Sequence, residues 1–178
     1  NYGGNSCGGS SSTPLRTAFA LSCNTAFVQM ATEIGDEPLR EVSTAFGVGE
    51  RYDLGLPNAA GSLGDLEDLA AVGMSAIGQR DVTMTALQAA VMAATVANEG
   101  RRMDPHVVSR VVSPQMKTVR EIRPRQAAEA LNKEEAETIT ALMFNSERNT
   151  YGYNGNGFAS KTGTAEHGED LPPHTWYV

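Results

Sequence analysis

The chain has 178 residues, 40 % of them hydrophobic, and 14 basic against 21 acidic side chains leave a formal charge of −7. That length fits one domain with a real core, and no apolar run reaches the ~20 residues that span a bilayer. The acidic balance argues against a nucleic-acid surface, which needs clustered Lys and Arg, and no basic-then-apolar leader opens the chain.

Residues 1–12 are rich in Gly, Ser and Asn and read as a loop. Thr13-Pro14 predicts an N-cap followed by Pro at the first helical position, and Gly35 closes the helical spacing that follows. The polar break Ser22-Cys23-Asn24 leaves two options, one helix carrying small polar residues or two helices joined by a short turn. Asp36 to Phe46 reads as a further helix stopped by Gly47. Residues 47–80 are glycine-rich and predict only loops and short turns. Thr85 with Gln88 forms a capping box, opening a helix to Ala97 that is apolar nearly all round and is expected to be buried. The methionines spaced through 74–103 read as core filler.

His106 to Ser113 and Thr118 to Arg123 alternate as the strands of a hairpin across Pro114-Gln115. Asn132 with Glu135 makes a second capping box, for a helix to about Phe144, and residues 146–157 read as a loop. Phe158 to Glu166 predicts a strand, followed by a turn over Gly168 to Pro173 and a final strand through Trp176, a core residue. Helices bracketing antiparallel strands indicate an α+β or mixed α/β layer fold. A chain that opens without Met and stops within a strand reads as part of a longer protein.

The stretch Ser160-Lys161-Thr162-Gly163-Thr164 carries the chemistry. Strand alternation puts Lys161 and Gly163 on one face, Thr162 and Thr164 on the other. A glycine inside a strand suits close approach of a backbone or ligand, and a lysine beside it supplies a compact charge for a carboxylate. An extended anionic peptide docking along the strand edge fits this pattern; an ordinary solvated lysine beside a bulge fits it too. Ser22 and Asn24 supply an S-x-N element upstream, and S-x-N with K-T-G belongs to the motif set of penicillin-interacting serine enzymes.

With Gly78-Gln79, Thr85 to Ala90 and Ala97 to Gly100, these motifs resemble the class B penicillin-binding proteins over essentially the whole chain. The Lys161–His167 and Pro173–Tyr177 stretches are most similar to the actinobacterial penicillin-binding protein A group. The resemblance implies the penicillin-binding transpeptidase/serine β-lactamase-like fold, an antiparallel sheet with helices packed on it and incomplete here, so that residues 1–178 are the C-terminal portion of a transpeptidase domain. It implies a peptidoglycan D,D-transpeptidase that cross-links stem peptides through a serine acyl-enzyme, with β-lactam antibiotics as inhibitors and no cofactor or metal. By analogy, Ser22 relays a proton toward the leaving group and Asn24 hydrogen-bonds the substrate's side amide. Lys161 shapes the field around Ser22, Thr162 and Gly163 take part in substrate binding with Thr162 on the terminal carboxylate, and Thr164 offers its backbone N–H to the oxyanion and its C=O to the substrate. The location implied is the extracytoplasmic face of the bacterial membrane, anchored by an N-terminal segment outside this sequence, with the division or elongation machinery as partners.

Two departures stand out. No S-x-x-K occurs in the 178 residues, Ser113 to Lys117 being one residue too long, so the nucleophile and its base are expected upstream of Asn1, and the chain alone is expected to form no acyl-enzyme. Asn149 to Gly152 stands where relatives carry a Gly-Thr-Gly turn. The competing functions are a β-lactamase, for which no deacylating base is recognisable, and a non-catalytic β-lactam sensor or scaffold. An extracytoplasmic site would allow a Cys7–Cys23 disulfide worth ~3 kcal/mol. Equally, Cys7 can pair with a cysteine outside this sequence and Cys23 can be a buried free thiol, the alternative favoured for Cys23. His106, His167 and His174 have no ligand-like spacing.

Overall fold

The computed structural model describes residues 7, 12–168 and 171–178, so most of the N-terminal loop and part of the turn expected over 168–173 lie outside the described residues. Six helices and six short strands follow in chain order: α1 Leu15–Ala20, α2 Asn24–Ile34, α3 Asp36–Ala45, α4 Leu69–Ala76, α5 Ala86–Ala97, β1 Arg101–Met103, β2 Arg110–Val112, β3 Thr118–Glu121, β4 Gln126–Glu129, α6 Lys133–Arg148, β5 Thr162–Ala165 and β6 His174–Tyr177. Among the described residues the strands form three separate antiparallel pairs, β1 with β4, β2 with β3 and β5 with β6.

Both capping boxes are present. Thr85 accepts from the Gln88 backbone while the Gln88 side chain accepts from Thr85, and Asn132 with Glu135 repeats the exchange at the start of α6. Each satisfies two N–H groups that a helix start would otherwise leave bare. Helix α6 runs one turn past Phe144, to Arg148. At the first helix the predicted cap is displaced by one residue: Pro14 occupies the N-cap position, and the Thr13 hydroxyl donates instead to the Cys7 carbonyl at 3.1 Å. The polar break at 22–24 is a turn between two helices.

The stretch 47–80 holds one helix that its composition concealed. Asp68 caps α4 by accepting from the Ala71 N–H at 2.7 Å. Gly73 lies inside that helix because α2 packs across it; a Cβ there would come within 2.8 Å of Val28 Cγ1. The strands β1 and β4 were also concealed, being three and four residues long and largely polar. The β2–β3 hairpin is formed, in shorter strands than the alternation suggests and with Ser113 and Lys117 closing its turn.

The core gathers Ala18 of α1, Cys23 of the α1–α2 turn, Leu66 of the loop before α4, Ala71 and Val72 of α4, Ala89 and Val91 of α5 and Ala136 of α6. Helix α5 departs from expectation: Ala86, Ala90, Ala94 and Ala97 form an exposed row at i, i+4 and i, i+3 spacing, and Ala90 and Ala94 line an open cavity with Met103 and Gln126. Its other face is closed by Gln88, which is 2 % exposed and donates to the Ala60 carbonyl. The methionines at 74, 84, 92 and 103 are half-buried, as is Trp176.

Helix α1 lies against α6, and α6 ends beside the β5–β6 hairpin through the Ser160 N–H, which donates to the Met143 carbonyl at 3.3 Å. This arrangement brings the α1–α2 turn and strand β5 to the same place.

Candidate active site

The α1–α2 turn is a Schellman motif. The Ser22 N–H bonds the Phe19 carbonyl and the Cys23 N–H bonds the Ala18 carbonyl, with Ser22 between them at φ 52°. That left-handed position normally holds glycine, and a side chain there costs roughly 1–2 kcal/mol. A hydroxyl therefore stands where glycine would relax the turn. Cys23 is 1 % exposed and bonded to Cys7, which corrects the free-thiol reading; burial was anticipated correctly, but the partner is the local one. The disulfide fixes the turn on one side, and Asn24 opens α2 on the other.

Lys161 reaches this turn from 139 residues away: its Nζ donates a short hydrogen bond to Ser22 Oγ and a second to the Thr162 carbonyl at 2.7 Å. The ammonium lies 5.9 Å from the centre of the Phe19 ring, and Phe27 of α2 braces that ring edge-on at 6.3 Å. Burial pushes the Lys161 amine below the usual lysine range. No carboxylate pairs with Lys161 among the described residues. An uncompensated cation in a partly dry wall favours an anionic ligand.

The register of β5 decides which backbone groups face that ligand. Lys161 and Val178 exchange both of their N–H···O bonds, so the bonded positions on β5 are 161, 163 and 165. The N–H and C=O groups of Thr162 and Thr164 therefore point away from β6, toward the open edge. The side chains of Thr162 and Thr164 are exposed, as the alternation predicts. Gly163 sits opposite Trp176, where an added Cβ would touch the Trp176 Cβ at 3.4 Å, an ordinary contact. Ser22, Lys161, Thr162 and Thr164 are thus gathered along one rim. Asn24 joins them through its neighbour Ser22 rather than by a hydrogen bond to β5.

Three participants escaped the sequence reading. Gln79, on the loop after α4, donates its amide to the Thr164 carbonyl at 3.1 Å. Phe19 is the wall beside Lys161, and its helical spacing signalled only a core position. Glu147, near the end of α6, is buried against the inner side of the hairpin, where a glutamate in a last helical turn gives no sequence signal. At the far end of the hairpin the His167 and His174 rings stack at 3.8 Å.

A serine at a positive φ, a desolvated lysine on its hydroxyl and a strand edge with outward N–H groups thus stand together. The chain belongs to the penicillin-binding protein transpeptidase domain family, which its residues 2–178 match. It is 42 % identical to the peptidoglycan D,D-transpeptidase PbpA of Mycolicibacterium smegmatis across 100 % of this chain, and 40 % identical to that of Mycobacterium tuberculosis. The chain spans 38 % of the length of each of these relatives. A solved ceftriaxone acyl-enzyme complex of penicillin-binding protein A from M. tuberculosis superimposes with a TM-score of 0.93 at 40 % identity, covering 99 % of this chain and 41 % of that one.

Proposed function

We propose that these residues are the C-terminal portion of the catalytic domain of a peptidoglycan D,D-transpeptidase, with the nucleophilic serine and its S-x-x-K lysine on a segment outside this sequence. The supporting observation is the Lys161 ammonium on the Ser22 hydroxyl, because that pair forms a proton-relaying wall beside an edge suited to an extended acyl donor. In this reading the nucleophile gives its hydroxyl proton to the S-x-x-K lysine as its oxygen attacks the penultimate D-Ala carbonyl, and negative charge on the carbonyl oxygen is met by the Thr164 N–H. The C–N bond breaks, and Ser22 passes a proton to the departing amine of D-Ala. The amine of a neighbouring stem peptide then attacks the ester, so that one peptide bond is exchanged for another. Thr162 holds the terminal carboxylate within the field of Lys161, Gly163 leaves room for the extended chain, and Asn24 holds the side amide.

The site lies on the extracytoplasmic face of the membrane, a compartment in which the Cys7–Cys23 bond persists. An N-terminal anchor and contact with the division or elongation machinery complete the proposal. Fluorescent penicillin tests it. The full-length protein is expected to label stably and Lys161→Ala to label far more slowly, while the 178 residues alone give no adduct by mass spectrometry. Rapid turnover of the label would point to a β-lactamase, and absence of labelling to a scaffold; either result refutes the transpeptidase reading.

A further inference from the structure

Glu147 is a carboxylate in an unfavourable place. It lies one residue before the C-terminal end of α6, where the helix dipole repels negative charge, and it is only 4 % exposed. No cation pairs with it among the described residues; instead it accepts from three neutral donors. Ser160 Oγ and Tyr177 OH both donate to Oε2, the second at 2.9 Å, and Asn156 Nδ2 donates to Oε1 at 2.8 Å. These hydrogen bonds, that from Ser160 foremost, hold its carboxyl below the usual range, so the group is charged at neutral pH.

The three donors lie at informative positions. Asn156 is on the loop that enters β5, Ser160 directly precedes Lys161, and Tyr177 of β6 is the register partner of Thr162. Successive side chains of extended backbone point to opposite sides, so drawing Ser160 inward turns Lys161 outward, toward Ser22. We infer that Glu147 is a positioning residue for the transpeptidase reaction: by gripping Ser160, Tyr177 and Asn156 it fixes the depth and tilt of the β5–β6 hairpin on α6, and so the reach of Lys161 to Ser22. This inference rests on the function proposed above, and its test is arranged to fail separately.

The experiment uses the full-length protein and two readouts, the rate constant of penicillin acylation at saturation and the pH profile of Lys161 modification by acetic anhydride, read by mass spectrometry. Glu147→Ala is expected to slow acylation about 10-fold or more at a temperature where the variant is folded, since small misplacements of reacting groups carry losses of that order. Lys161 in that variant is expected to titrate closer to an ordinary lysine. Glu147→Gln is expected to stay within about threefold of the parent, because its amide can accept from Asn156 and donate to hydroxyls that rotate. Unchanged acylation in folded Glu147→Ala overturns the inference. So does a Gln variant as slow as the Ala variant, since the charge rather than the grip would then be acting. Should Glu147→Ala fail to fold, Ser160→Ala and Tyr177→Phe each remove one donor and are expected to slow acylation several-fold; parental rates in both overturn it. If the parent itself does not acylate, the transpeptidase reading falls, and the Lys161 modification profile alone decides the grip.

Discussion

Opening the Cys7–Cys23 disulfide should loosen the protein and its serine turn together. The bond closes a loop with a sequence separation of 16. Chain entropy for a loop of that size gives a loss of about 3 kcal/mol at 25 °C when the crosslink is removed. With a urea m-value of about 2 kcal/mol/M, the unfolding midpoint of Cys7→Ser should fall by about 1.5 M with m little changed. The variant leaves Cys23 as a buried thiol, which packs as a small hydrophobe, so the crosslink is the main loss. Reducing agent should lower the parent to the same midpoint and leave Cys7→Ser where it is. Penicillin acylation of the reduced full-length protein should slow as well, because Ser22 adjoins Cys23 and needs the turn held at a positive φ. Coincident urea curves for the oxidised and reduced protein would refute the reasoning.

Two further outcomes follow from the site and the fold. Burial lowers the Lys161 amine, so the alkaline limb of the acylation profile should lie below the pH at which an ordinary lysine titrates, and Lys161→Met should abolish that limb. Between its folded value and the unfolded value of 10.5 the unfolded chain binds more protons, so the Lys161 contribution to stability rises with pH across that window, as urea titrations of the parent and Lys161→Met can measure. Gly100 stands at φ +83°, and a Cβ there would lie 2.1 Å from the Leu131 carbonyl oxygen. Gly100→Ala should therefore cost roughly 2–4 kcal/mol, seen as a fall of roughly 5–15 °C in Tm; a change below about 2 °C would show that the turn adapts freely.

What the sequence revealed was mostly local. The boxes at Thr85/Gln88 and Asn132/Glu135 are four-residue codes, complete in themselves, and both helices start where they say. The spacing of Ser22, Asn24 and Lys161-Thr162-Gly163 carried the family, and strand alternation correctly separated the faces of Lys161 and Thr162. The missing parts needed partners far along the chain. Strand β1 is three residues of charge and methionine and becomes a strand only when Gln126–Glu129 arrives beside it. Helix α4 was hidden by Gly73, whose reason is Val28 on another helix. The open alanine row of α5 also depends on what packs there, so an all-apolar pattern could not foretell it. Spacing alone could not choose between a thiol and a disulfide at Cys23. Glu147 reads as one more surface acid until Ser160, Asn156 and Tyr177 close around it.

The acceptors along the outer rail of strand β5 are occupied by the molecule itself. Of its two outward carbonyls, that of Thr162 receives the Lys161 ammonium and that of Thr164 receives the Gln79 amide. A bare edge invites any stray strand to stack on it, and this one answers such visitors with acceptors already engaged. The N–H groups of Thr162 and Thr164 face the same side, so the edge offers a visitor donors but not free acceptors. The same two side chains thereby keep a stray strand's N–H donors off both outward carbonyls.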